Sequence, residues 1–150
     1  MEAQDDLEAQ VAFEQAQHHA GADLDIHLFT DPKEVQEREV NAFQTASTVV
    51  LQKSLREGFG LTVTEAMWKG SAVIGGNCGG IRVQIEDGRS GFLVNTPEEC
   101  ASRVIRLICE DGLQTQMGAP AKESVRKQYL IPRLLRDYSQ LIEEVVLGRA

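Results

Sequence analysis

Short apolar runs spaced by helical patterns constrain this chain most. "STVVLQKS" (47–54), "SAVIG" (71–75) and "GFLV" (91–94) each read as a strand, and Thr62–Lys69 between the first two is a run of helix formers stopped by Gly70. "DLDIHLFT" (23–30) alternates Leu24, Ile26 and Leu28 and reads as an earlier strand, followed by helical spacing of Val40, Phe43 and Ala46 across 35–46. Strands alternating with helices predict an α/β fold with a parallel sheet, because each crossover has to return along one face. Four short strands are expected. Such a sheet binds ligands beyond the carboxyl ends of its strands.

The remaining segments read as helices. Residues 4–20 suit an imperfect amphipathic helix ending at Gly21. Thr96, Pro97 and Glu99 form a T-x-x-E capping box, and Ala101, Val104, Ile105 and Ile108 then share a face. Gly112 ends that helix. Pro120 should break a helix over 113–129, unless it opens a new one after Gly118. Leu134, Leu135, Tyr138, Leu141, Ile142 and Val145 mark a final amphipathic helix.

At 150 residues the chain fits a single domain, 1–150. No apolar run is long enough for a bilayer span, and the acidic N-terminus lacks the apolar core of a signal peptide, so a cytoplasmic protein is expected. Cys78, Cys100 and Cys109 form no C-x-x-C pair and are odd in number, which predicts buried reduced thiols rather than disulfides or a metal site. The net charge is −8, and residues 1–50 hold eleven acids against Lys33 and Arg38. That balance excludes nucleic acid, whose backbone needs a basic face. His18 and His19 sit near a helix end, where positive charge is favourable. Trp68 reads as a packing residue, and Cys78 as an inert thiol in a glycine-rich loop.

The chemistry concentrates in "REGFGLTVTEAMWKG", residues 56–70. Gly58-Phe59-Gly60-Leu61 links a strand to a helix, so backbone N–H groups and the helix dipole together suit a phosphate. Glycine at 58 and 60 permits tight dihedrals and close approach of an anion. The spacing fails G-x-G-x-x-G, since position 63 is Val, and no Walker motif is present. Glu65, about one turn into the helix, suits a carboxylate accepting both hydrogens of a cis-diol, with Glu57 on the other side of the phosphate seat. On spacing alone, Glu57 also reads as a loop cap and Glu65 as an ordinary exposed acid.

"SLREGFGLTVTEAMWKGSAVIG" followed by "GGIRVQIEDGRSGFLV" resembles the donor-binding half of retaining, nucleotide-sugar-dependent glycosyltransferases of family 4. Their E-x7-E signature matches Glu57 and Glu65, and G-F-G-L, E-A-M, G-G-I and G-F-L-V match in order. "REVNAFQTAS" and the Trp-Lys-Gly helix end look most like the trehalose-forming members. The resemblance implies a Rossmann-like sheet forming one half of a GT-B fold, with a nucleotide-diphospho-sugar donor and no cofactor. It places Glu57 at the transferred sugar, Gly58, Phe59, Gly60, Leu61 and Thr62 at sugar and diphosphate, and Glu65 at the ribose. In that family the acceptor hydroxyl attacks from the front side and the departing diphosphate helps as base. Against that family, the acceptor domain and the first donor-domain strand with its basic clamp are expected to be missing, leaving Lys33, Lys53 and Arg56 as the nearest cations. The chain alone is therefore expected not to transfer sugar, and to associate with copies of itself or with an acceptor-domain chain. A non-catalytic nucleotide-sugar module is the alternative. A glycosidase using both glutamates fits least, since they share one turn-helix unit.

Overall fold

The computed structural model describes residues 7–148 except Pro32 and Glu34. They fall into two compact units, one reaching to Val40 and the other starting at Asn41.

The first unit holds helix α1 (Leu7–Ala20) and an irregular stretch leading into helix α2 (Glu37–Ala46). Residues 4–6 of the expected first helix lie outside the described residues. Gly21, at φ 56, ends α1 by donating its N–H to the Gln17 carbonyl at 2.9 Å. His18 and His19 occupy the last turn. The strand expected over 23–30 does not form. The Asp23 carboxylate accepts from the Asp25 N–H at 2.9 Å, and that of Asp31 from the Lys33 N–H at 2.8 Å, so the run is bounded by local turns. No strand pairs with it among the described residues, and Leu24 is 88% exposed. Alternation favours a strand only where a neighbouring strand takes up its hydrogen bonds.

The second unit is built on a parallel sheet of three strands, β1 (Val50–Gln52), β2 (Val73–Gly76) and β3 (Phe92–Val94), in the order β1-β2-β3. Val50 lies opposite Val73, and Ile74 opposite Phe92. Helix α3 (Leu61–Lys69) connects β1 to β2, and the short α4 (Ile81–Gln84) lies between β2 and β3. Helices α5 (Pro97–Cys109), α6 (Leu113–Gln128) and α7 (Ile131–Leu147) complete the unit. All four residues of β2 are buried, as a central parallel strand covered on both faces requires.

Side-chain alternation along β2 separates two cores. Val73 joins Val63, Ala66 and Met67 of α3, Ile81 and Ile85, and Ala121 and Val125 of α6. Ile74 joins Phe92, Val94, Leu107 of α5, and Leu113 and Met117 of α6. Thus α6 supplies the first core from its C-terminal half and the second from its N-terminal half.

That double anchorage explains why Pro120 does not interrupt α6, contrary to the sequence expectation. An interior proline costs about 3 kcal/mol, and burying Met117, Ala121 and Val125 around it offsets that cost. At Gly118 the helix presses on the end of α3, where a Cβ would overlap the Gly70 carbonyl.

Thr96 caps α5 by accepting from the Glu99 N–H at 3.2 Å. The Glu99 carboxylate reaches back to the Asn95 N–H at 2.6 Å, one residue earlier than a symmetrical box would place it, and that bond holds its pKa below the ordinary value. The buried stripe of α5 is Cys100, Val104 and Leu107, which pack with Phe92. Ala101, Ile105 and Ile108 are exposed, because several apolar stripes fit this helix and the position of Phe92 selects one. Arg103 and Arg106 stack over the Phe92 ring at 4.6 and 5.5 Å. The thiols differ from expectation too: all are free, but Cys78 and Cys100 are only half-buried and Cys109 is exposed. Helix α7 forms where expected, with Leu134, Leu135, Tyr138, Leu141, Ile142 and Val145 exposed.

The Gly118→Ala variant tests the α3–α6 contact. Helix propensity favours alanine by up to about 1 kcal/mol, whereas forcing a methyl against a backbone carbonyl costs about 1–3 kcal/mol. A lower urea midpoint is expected, and an unchanged or higher one would show that the contact yields easily.

Candidate functional site

The site grows from the carboxyl ends of β1 and β2. After Gln52 the chain runs through Ser54, Glu57, Gly58 and Phe59 to Gly60, which opens α3 in a left-handed conformation at φ 88. A Cβ on Gly60 would come within 2.9 Å of the Ile81 side chain. At the end of β2, Gly76 passes against Ser54, and beyond it Gly79 and Gly80 pass against residues 57–59. A Cβ at Gly76 would overlap the Ser54 carbonyl, one at Gly79 the Glu57 carbonyl, and one at Gly80 would lie 2.5 Å from both the Gly58 oxygen and Phe59 Cα.

Hydrogen bonds lock the two loops together. The Gly80 N–H donates to the Gly58 carbonyl at 3.1 Å and more weakly to that of Glu57 at 3.4 Å. Cys78 Sγ donates to the Ser54 carbonyl at 3.1 Å, which gives this thiol a structural partner. Buried Gln84 donates from Nε2 to the Phe59 carbonyl and accepts at Oε1 from Thr64 Oγ1 at 2.6 Å. The Phe59 ring meets Tyr129 edge-on at 5.6 Å, and burial raises the Tyr129 hydroxyl pKa above its ordinary value.

Three successive carbonyls, of Glu57, Gly58 and Phe59, are therefore committed to the second loop. In a trans peptide the following N–H points the opposite way. The N–H groups of Gly58, Phe59 and Gly60 accordingly point away from the second loop, and none of the N–H groups from Gly58 to Thr62 has an acceptor among the described residues. Helix α3 has no side-chain cap, so its dipole adds positive potential at the same place. The result is a nest of donors suited to an anion.

Two carboxylates flank the nest along the chain. Glu57 is half-buried, with Oε2 at 3.5 Å from Gln52 Nε2, a long contact that leaves most of its accepting capacity unused. Glu65 is exposed on α3, and its Oε2 accepts from Gln44 Nε2 at 3.1 Å. Lys53 and Arg56 precede the turn and have no ion-pair partner among the described residues, while Lys33 belongs to the first unit. Trp68 is 40% exposed, with Lys122 Nζ 5.5 Å from its ring centroid. Among the described residues no cluster of His, Cys, Asp and Glu could hold a metal, and no helix is long and apolar enough to cross a membrane.

The structure thus brings Gly58 to Thr62 into one bend and sets Glu57 and Glu65 before and after it. The reading from spacing overlooked Gly79 and Gly80 as structural partners of that bend, and overlooked Gln84 and Gln44. A glycine pair separated from an apolar strand only by Asn77 and Cys78 was the available signal for the first two.

The sequence model of the family described as glycosyl transferases group 1 matches residues 10–124. The chain belongs to that family. As a group 1 glycosyltransferase sequence it is 47% identical over 143 residues to trehalose synthase of Pyrococcus horikoshii, covering 95% of this chain and 34% of that protein. The chain spans about a third of the length of the curated relatives it matches. The C-terminal domain of a Francisella tularensis glycosyl transferase group 1 family protein, LpcC, superimposes with a TM-score of 0.66 at 28% identity, over 84% of this chain and 65% of that one. Anabaena HepE, solved in complex with UDP-glucose, superimposes with a TM-score of 0.75 at 18% identity, over 93% of this chain and 38% of that one. The fold is that of one half of a GT-B glycosyltransferase.

Two glycine variants separate the loop contact from the open side of the bend. Gly80→Ala is expected to lower stability by about 1–3 kcal/mol, because the methyl meets backbone. Gly58 has nothing within 4 Å of its Cβ position, so Gly58→Ala is expected to stay within about 0.5 kcal/mol of the parent. Urea denaturation of both variants checks this; equal midpoints would contradict it.

Proposed function

We propose that the bend from Glu57 to Glu65 is the donor seat of a retaining glycosyltransferase that takes a nucleoside-diphospho-sugar. The run of N–H groups from Gly58 to Thr62 that have no acceptor among the described residues carries this reading, because it offers a diphosphate several donors fixed before the ligand arrives. Glu57 contacts hydroxyls of the transferred sugar, Phe59, Leu61 and Thr62 hold sugar and diphosphate through their backbone, and Glu65 accepts from the ribose 2′- and 3′-hydroxyls. Lys53 and Arg56 are the nearest cations along the chain to share the phosphate charge. HepE in complex with UDP-glucose supports the donor class, and the trehalose synthase relatives support glucosyl transfer to a second sugar.

In the proposed reaction the bond from the anomeric carbon to the phosphate oxygen breaks, and the acceptor hydroxyl oxygen bonds to the same carbon on the same face. The acceptor proton passes to the departing phosphate oxygen, so no protein nucleophile is needed. The protein aligns the two reactants and places fixed dipoles where negative charge grows on the leaving group. Acceptor binding falls outside the residues assigned here, and the chain by itself is proposed to bind donor without measurable transfer.

Calorimetry against UDP, ADP and GDP and their glucose conjugates tests the seat. Glu65→Ala is expected to weaken nucleoside diphosphate binding at least about tenfold, since two hydrogen bonds to a carboxylate are lost. Glu57→Ala should weaken the glucose conjugate while leaving the free diphosphate unchanged. Unaltered affinity in Glu65→Ala would remove the ribose assignment, and formation of a glucosylated acceptor with release of the nucleoside diphosphate would remove the claim of inactivity.

A further inference from the structure

The Glu65 carboxylate is tethered before any ligand binds. Its Oε2 accepts from Nε2 of Gln44, and Gln44, in the last turn of α2, is only 5% exposed. The other end of that amide, Oε1, accepts from Lys69 Nζ at 2.6 Å. The Gln44 backbone carbonyl accepts from Ser71 Oγ at 2.7 Å, which fixes the end of α2 to the turn after α3. Lysine only donates and an ionised carboxylate only accepts, so the amide has one workable orientation: oxygen toward Lys69, nitrogen toward Glu65. Glu65 lies on the exposed side of α3, where an untethered glutamate would sample many rotamers. Among the described residues its Oε1 has no partner, and Oε2 has only Gln44.

From this chain we infer that Gln44, oriented by Lys69, is a positioning residue for Glu65 and sets the preference for ribose over 2′-deoxyribose in the donor. The inference rests on the reading of Glu65 as the ribose ligand. Gln44 occupies one lone pair of Oε2 and leaves Oε1 and the remaining lone pair for the two hydroxyls of the diol. Because the side chain is already ordered, its ordering cost is not charged to nucleotide binding. The charge on Lys69 polarises the amide, so its N–H is a stronger donor to the carboxylate than an isolated glutamine would supply.

The test is calorimetry of UDP, ADP and GDP, each beside its 2′-deoxy counterpart, on the parent chain and on Glu65→Ala, Gln44→Met, Gln44→Glu and Lys69→Met. Gln44→Glu keeps the size of the side chain and the Lys69 contact but turns an acceptor toward Glu65. Both Gln44 variants are expected to cut the ribose preference about tenfold, and Lys69→Met about threefold. Thermal midpoints are measured in parallel. A purely structural role would move the midpoint and leave the ratio of ribo to deoxyribo affinity alone. Lys69→Met removes only a half-buried anchor, so it keeps the test open if a buried substitution prevents folding. If Glu65→Ala retains the ribose preference, the reading of Glu65 falls. If Glu65→Ala erases it while folded Gln44 and Lys69 variants keep it in full, the positioning role falls.

Discussion

The loops that leave β1 and β2 touch backbone to backbone, and everything at the site follows from that contact. At Gly76, Gly79 and Gly80 a Cβ would run into main-chain atoms of the first loop. Only chains without side chains at these points can come so close, and closeness lets Gly80 and Gln84 collect the carbonyls of residues 57–59. Peptide planarity then turns the matching N–H groups away from the second loop. The donor nest is therefore a consequence of loop packing, with α3 starting where the nest ends and adding its dipole.

The sheet below makes this contact rigid. β2 is covered on both faces, and α6 contributes side chains to both cores, so the two loops spring from strands that cannot shift independently. The same anchorage holds α6 straight through Pro120, where local preference alone would break it. Cysteine thiols and surface ion pairs contribute little. The salt bridges among the described residues all join residues three or four apart on exposed surfaces, where water screens the attraction.

Charge at the site is arranged sparingly. A chain with net charge −8 would repel a diphosphate at long range, so the attraction has to be local. In the proposed seat, backbone N–H groups and a helix terminus supply it without the desolvation cost of burying cations. The acids beside the nest, proposed to accept from hydroxyls, differ in their surroundings. Glu57 has one long contact to Gln52, whereas Glu65 is tied into a chain of polar groups ending at Lys69.

The residues themselves determined the strand-helix-strand rhythm, the parallel sheet and the bend at Gly58–Gly60, since β-branched runs, glycine stops and helix formers act through neighbours a few positions away. The interval between Glu57 and Glu65 was legible for the same reason. The run at 23–30 and the stripe on α5 were misread because alternation and helical spacing say which residues can share a face, but only a partner decides whether that face is used. Phe92 chose Cys100, Val104 and Leu107, and the absence of a paired strand left Leu24 exposed. Gln44 and Glu65 are 21 positions apart, and Gln84 and Phe59 are 25 apart. No local pattern links such pairs, because the first meets where the end of α2 touches α3 and the second where α4 lies against the loop that opens α3, and so the chain's own chemistry named the bend while its tertiary structure decided which groups meet beside it.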